Sequence, residues 1–196
     1  MKRTKRRIGI FGGAFNPVHR GHIAISRSFL ASRLIHELWI MPTPDPPHKE
    51  SGNLISLTHR SEMLRRAFQN EKHVRITDLE RDLPAPSYTW QTLTALEESY
   101  ADHHFYLCIG EDSLVTFTSW YRWREILAMT PLLVAERSGY DRTVCENEVL
   151  ERAIFAEHQP VDISSTEIRE RVNSSYAKEG LPPAVHEYIT TRRLYI

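Results

Sequence analysis

The sequence predicts an α/β protein built on a doubly wound, mainly parallel sheet, and three observations carry that expectation. Short apolar runs alternate with longer segments of helical periodicity along the chain. The run Phe105 to Ile109 is almost continuously apolar, as a strand covered on both faces must be. A first strand, Arg7 to Phe11, ends in the break Gly12-Gly13. In such sheets ligands bind beyond the carboxyl ends of the strands, near the point where strand order reverses. The loops after Phe11, Met41, Ile76, Ile109 and Ala135 are therefore the places to look for chemistry.

Taken in order, Gly21 to Leu34 reads as a helix in which Ile25, Phe29 and Leu30 share a face. Glu37 to Met41 is a second strand, stopped by a loop rich in proline (Pro42, Pro44, Pro46, Pro47). Leu57 to Gln69 is a helix with Met63/Ala67 and Leu64/Phe68 as pairs one turn apart, and Val74 to Ile76 is a short strand. Ser87 is the expected cap of a helix running to about Ala101, with Leu93, Leu96 and Tyr100 turned inward. After Phe105 to Ile109 come a helix over Trp120 to Met129, a strand over Leu132 to Ala135, and helices over Thr166 to Asn173 and Pro183 to about Leu194. The segment Gly139 to Gln159 carries no usable motif.

A chain of 196 residues fits one domain, residues 1–196, with a basic leader over 1–6 and a helical C-terminal subregion over 164–196. Its 25 basic and 25 acidic side chains balance, which argues against a general nucleic-acid binder. Lys2, Arg3, Lys5, Arg6 and Arg7 crowd the N-terminus, but the apolar stretch Ile8 to Phe11 is too short for a secretory signal. No stretch is long enough to span a bilayer, so no membrane partner is expected. Cys108 and Cys145 are too few for a disulfide framework, and Cys108 reads as a small core residue. A cytoplasmic location follows as an expectation.

The loop after the first strand is the most informative. Gly12 and Gly13 lack Cβ atoms, so they are expected to let the backbone turn sharply and approach a ligand. The next helix starts near His19 to Gly21, aiming its free N–H groups and positive dipole end into the same loop. His19 and His22 are three apart, so both rings can lie on one side of that turn. The loop is neither a Walker A sequence nor a Gly-x-Gly-x-x-Gly fingerprint, and no carboxylate or cysteine joins the histidines at metal-ligand spacing. From the residues alone it is a phosphate site with two histidines; an ordinary turn is the bland alternative.

A second phosphate-type segment is Ile163-Ser164-Ser165-Thr166-Glu167-Ile168-Arg169. Ser164 with Glu167 fits a capping box, which explains both by structure alone. Ser165, Thr166 and Arg169 are left over, and hydroxyls at a helix start with a guanidinium one turn on suit a polyphosphate. Gly110-Glu111-Asp112 follows the buried strand, where an acid either bonds a ribose hydroxyl or caps a helix.

These two motifs, Gly12-Gly13-Ala14-Phe15-Asn16-Pro17 with His19-Arg20-Gly21-His22 and Ile163 to Arg169, resemble the signatures of the nucleotidylyltransferase superfamily. Within it the chain looks like the nicotinate-nucleotide adenylyltransferase family, over roughly residues 8 to 195. The resemblance implies a Rossmann-like fold and adenylyl transfer from ATP to nicotinate mononucleotide, giving deamido-NAD and pyrophosphate, with Mg²⁺ carried by ATP. It implies His19, His22, Lys49 and Arg169 as catalytic residues. ATP would be bound by Gly12, Gly13, Ala14, Phe15, Gly110, Asp112, Ile163, Ser165 and Thr166. Asn16, His48, Thr89, Trp120, Tyr121 and Arg137 would bind the mononucleotide. The family's commoner motif has Thr at 14 and Asp at 16; here Ala14 lacks the hydroxyl and Asn16 the charge. No protein metal site is expected, and a homo-oligomer is compatible with the sequence. The rivals are a sister transferase using phosphopantetheine or nicotinamide mononucleotide, and a non-catalytic nucleotide or RNA module of the same fold.

Overall fold

The computed structural model of the protein describes residues 5–46, 54–137 and 139–195. Strand β1 (Arg6–Gly13) leads into helix α1 (Arg20–Ala31) and then strand β2 (Glu37–Pro42). Helix α2 (Leu57–Ala67) precedes β3 (Val74–Ile76), and α3 (Thr89–Ser99) precedes β4 (His103–Gly110). Two short helices, α4 (Glu111–Val115) and α5 (Trp123–Met129), lead to β5 (Leu132–Ala135). Helix α6 (Asn147–Glu151) and strand β6 (Ala153–Ala156) follow, then α7 (Ser165–Glu170), α8 (Ser175–Gly180) and α9 (Pro183–Arg192).

The described residues form a six-stranded sheet in the order β3-β2-β1-β4-β5-β6, and every pairing is parallel. The chain works outward from β1 to β3, returns to the centre at β4, and works outward again to β6. That reversal lies between β1 and β4, so the loops leaving their carboxyl ends diverge and open a crevice.

Side chains alternate across each strand, and the two faces bury two separate layers. Phe11, Leu38, Ile40 and Cys108 face α1, α2 and α9, through Phe29, Met63, Leu64, Val185 and Ile189. Ile8, Ile10, Trp39, Met41 and Leu107 face α3 and α5, through Leu93, Leu96, Ile126 and Leu127. Burying one such aliphatic or aromatic side chain contributes about 1.5–3 kcal/mol, so both layers must be filled for the central strands to be stable. Among the described residues no helix is long and apolar enough to cross a membrane.

Several expected boundaries move. Ser87 does not cap α3: Tyr88 is the N-cap, and Ser87 instead ties down the loop after β2. Its N–H donates to Asp45 O at 3.1 Å while Asp45 N–H donates to Ser87 Oγ at 3.3 Å. The helix expected from Trp120 starts at Trp123, because Arg122 adopts a left-handed backbone with φ 55°. The helix expected over Thr166 to Asn173 stops at Glu170, and Ser174 then caps α8, an element absent from the sequence reading. Gly139 to Gln159 holds a 3-10 turn (Arg142–Val144), α6 and the edge strand β6. Four residues at a sheet edge are too few to display a clear alternation, so this strand has no sequence signature.

Candidate active site

The sharp turn after β1 does not fall on the glycines. Gly12 and Gly13 stay in the strand, with Gly13 opposite Pro42, and the left-handed residue is Phe15 at φ 46°. Such a backbone costs a non-glycine residue roughly 1–2 kcal/mol, so something must hold it. The glycines supply room instead: a Cβ on Gly13 would sit 3.2 Å from the Phe15 ring, and one on Gly12 would enter open space.

The loop is held from outside by four distant residues. Ala14 O accepts from Arg60 Nη1 at 2.8 Å, Asn16 O from Arg169 Nη1 at 2.8 Å, and Pro17 O from Ser165 Oγ at 2.9 Å. Asn16 Oδ1 accepts from the Tyr195 hydroxyl at 2.7 Å. In a planar trans peptide C=O and N–H point opposite ways, so fixing the Ala14 carbonyl also fixes the direction of the Phe15 N–H.

His19 is the N-cap of α1. Its main-chain N–H donates to His22 Nδ1 at 3.2 Å, and the two rings lie 3.8 Å apart. With Nδ1 accepting, neutral His22 carries its proton on Nε2. Burial pulls the pKa of His19 down to about 4, so at neutral pH the neighbouring imidazoles do not repel each other. His19 is 7% exposed, and among the described residues its Nδ1 has no hydrogen-bond partner.

A cavity of about 410 Å³ occupies the crevice. Gly12, Gly13, Ala14, Phe15 and His22 form one wall, and Gly110 and Asp112 a second. Ser165 reaches in from the start of α7. At the far end lie Thr43 and Pro46, the start of α3 with Tyr88 and Thr89, and the aromatics Trp120 and Tyr121. Tyr121 is 46% exposed and packs against Tyr88 at 4.5 Å between centroids. Arg122 stacks on Trp90 at 4.2 Å and donates to the Tyr121 hydroxyl, which stabilises the left-handed turn beneath this aromatic rim.

The expected site residues thus divide. Gly12, Gly13, Ala14, Phe15, His22, Gly110, Asp112, Ser165, Thr89, Trp120 and Tyr121 line one cavity. His19, Asn16 and Arg169 stand behind the first loop, with Arg169 Nη2 also donating to Thr166 Oγ1 at 3.2 Å. Ile163 packs on the core. Arg137 is held through its main chain, its N–H donating to Glu111 Oε2 at 2.6 Å. His48 and Lys49 lie outside the described residues. Among the described residues no group of three or more His, Cys, Asp or Glu could hold a metal ion.

Sequence reasoning missed Arg60, Glu80, Glu111 and Tyr195. Arg60 occupies the buried stripe of α2, three and four residues before Met63 and Leu64, and a charge on that stripe was the available signal. Glu80 lines the cavity and accepts from Thr92 Oγ1 at 2.8 Å; burial raises the pKa of its carboxyl. Glu111 is also buried, which works to raise its pKa. The hydrogen bonds from Arg142 and the Arg137 N–H outweigh that effect and hold it below the usual value. Glu111 and Tyr195 have no local pattern, since their partners lie far along the chain.

A parallel sheet whose switch point carries a loop braced from outside and a histidine at a helix start has the architecture of a nucleotide-binding α/β fold. The chain belongs to the cytidylyltransferase-like family, whose model matches residues 10–171. It is 32% identical to the nicotinate-nucleotide adenylyltransferase of Bacillus subtilis, over 97% of this chain and 98% of that one. It is 34% identical to a Carboxydothermus hydrogenoformans protein named "Probable nicotinate-nucleotide adenylyltransferase", over 96% and 98% of the two chains. In fold it matches the Plasmodium falciparum nicotinic acid mononucleotide adenylyltransferase complexed with NaAD. That match has a TM-score of 0.79 at 22% identity and covers 97% of both chains.

Proposed function

We propose that the protein transfers the adenylyl group of ATP to nicotinate mononucleotide, releasing pyrophosphate and forming deamido-NAD. The observation that carries this reading is one cavity running from the first loop and His22 to the start of α3 at Thr89. It offers an anion-binding end and an aromatic end with free helix N–H groups, which match a triphosphate and a pyridine carboxylate. Full-length relatives bearing this activity's name support it.

The mononucleotide phosphate attacks the α-phosphorus of ATP in line with the departing pyrophosphate. This nucleophile is already an anion at neutral pH, so catalysis needs no side-chain base. It comes from holding the two phosphates together and from donors aimed at the charge that develops. His22, through Nε2–H, and the N–H groups of the loop are assigned to the α- and β-phosphate oxygens, with His19 fixing His22. Arg169, Thr166, Ser165 and Lys49 are assigned to the polyphosphate end, and Asp112 to the ribose. Thr89 and Tyr121 bind the nicotinate carboxylate through their main chain while Trp120 stacks on the ring, with His48 and Arg137 at the mononucleotide phosphate. Mg²⁺ enters as part of the ATP substrate, bound to phosphate oxygens. The first loop suits that arrangement, because its backbone N–H groups and imidazole bind phosphate rather than a hard cation. A cytosolic location fits the two free thiols, Cys108 and Cys145.

Steady-state pyrophosphate release with ATP and either nicotinate or nicotinamide mononucleotide tests the reading. A carboxylate-binding site favours the acid by a few kcal/mol, roughly 100-fold or more in kcat/KM. Equal use of both would remove the roles of Thr89 and Tyr121; no release with either would remove the reaction.

A further inference from the structure

Arg60, on α2, is 1% exposed, and its guanidinium faces main-chain carbonyls throughout. Nε donates to Ile55 O at 3.0 Å, Nη2 reaches Pro44 O at 3.5 Å, and Nη1 donates both to Ala14 O and to Thr43 O at 2.8 Å. Among the described residues no carboxylate forms an ion pair with it. Burying a cation costs several kcal/mol, and neutral carbonyls compensate it less completely than a carboxylate would.

The position of the Nη1 bridge explains what that cost secures. Strands β1 and β2 pair as far as Gly13 and Pro42, and Thr43 N–H donates to Gly13 O at 2.9 Å as the last rung. Beyond it the chains part, one into the loop that ends at His19 and the other into the loop of Thr43 to Pro46. Nη1 takes one carbonyl from each branch immediately after the fork. Ala14 and Thr43 both line the cavity, on its nucleotide and acceptor sides. We propose that Arg60 is a positioning residue: its bridge sets the separation of the two loops, and hence the in-line approach of the acceptor phosphate to the α-phosphorus. This rests on the adenylyl-transfer reading above.

A misplacement of reacting groups by one ångström costs about 100-fold in rate, whereas binding of either substrate alone needs just one loop. A lysine at this position keeps the charge but lacks the planar fork that spans two carbonyls. The test compares Arg60→Lys and Arg60→Gln with the unaltered enzyme. Single-turnover rates are measured beside dissociation constants for a non-hydrolysable ATP analogue and for nicotinate mononucleotide, with thermal unfolding as the fold check. The expected result is a rate about 100-fold lower in both variants while each dissociation constant stays within about threefold. An unchanged rate, a loss of affinity that matches the loss of rate, recovery of the rate by lysine, or failure of the lysine variant to fold would each overturn the proposal. If the unaltered enzyme releases no pyrophosphate, the reaction assignment falls and Arg60 with it; an active enzyme with unaffected variants sinks the Arg60 role alone.

Discussion

The N–H of His19 and Nδ1 of His22 form a 3.2 Å hydrogen bond that commits the second ring to one tautomer before any ligand arrives. The helix start therefore sets the second ring with its N–H at Nε2, the donor that the proposed reaction uses.

Replacing His22 by alanine removes that donor. Loss of one such group costs about 2.7–4 kcal/mol in the transition state, or roughly 10²- to 10³-fold in kcat. The KM for ATP changes far less, because the loop N–H groups remain. Near-normal turnover in a steady-state pyrophosphate assay would dismiss the assignment.

His19 makes stability depend on pH in a defined window. Its folded pKa of about 4 lies below the ordinary 6.5, so between these values the unfolded chain binds the proton that the folded chain refuses. Its contribution is fully present above pH 6.5 and is lost as pH falls towards 4, by on the order of 3 kcal/mol. Glu80, raised by burial, acts in the opposite sense, losing stability as pH rises above 4.5. Urea midpoints of the unaltered protein and His19→Gln across this range isolate the histidine: the difference between them should shrink on acidification. Parallel curves would contradict it.

Gly21→Ala sets two effects against each other. Alanine in a helix gains about 0.5–1 kcal/mol over glycine. The added Cβ, however, would lie 3.0 Å from the His19 ring, which is buried. Overpacking of this kind costs about 1–3 kcal/mol, so the variant should melt lower and, with the paired rings displaced, turn over more slowly. A raised melting temperature with full activity would show that the ring has space to move.

Tyr195→Phe deletes the hydroxyl that donates to Asn16 Oδ1 at 2.7 Å. The expected loss is about 0.5–1.5 kcal/mol of stability, with slower turnover because the first loop loses one brace. Differential scanning calorimetry and kcat measured together check this. Unaltered values in both would make the contact incidental.

The sheet was legible because its central strands are apolar and separated by segments of helical periodicity. Val74–Ile76 and Leu132–Ala135 fall where hydrophobic periodicity puts them. The edge strand β6 and helix α8 were not, being four and six residues long in polar surroundings. In the site, several residues that face the cavity, Gly12 to Phe15, His22 and Ser165, belong to short local motifs, and local motifs are what a sequence displays. The braces are different. Arg60 and Tyr195 act on Ala14 and Asn16 from 46 and 179 positions away, and nothing in either neighbourhood announces the partner. Asn16 shows the same: its side chain accepts from Tyr195, a partner that no local pattern displays.

The span between Asn16 and Tyr195 also has a meaning in time. During synthesis the first loop emerges early, but its tyrosine brace arrives 179 residues later and its arginine brace, Arg169, 153 residues later. Contacts of such separation form last, because the chain must close a long loop before they repay its entropy. A nascent chain that already holds β1 and α1 still lacks these two braces of the first loop. The bracing of the first loop is thereby completed by the last part of the chain to be made.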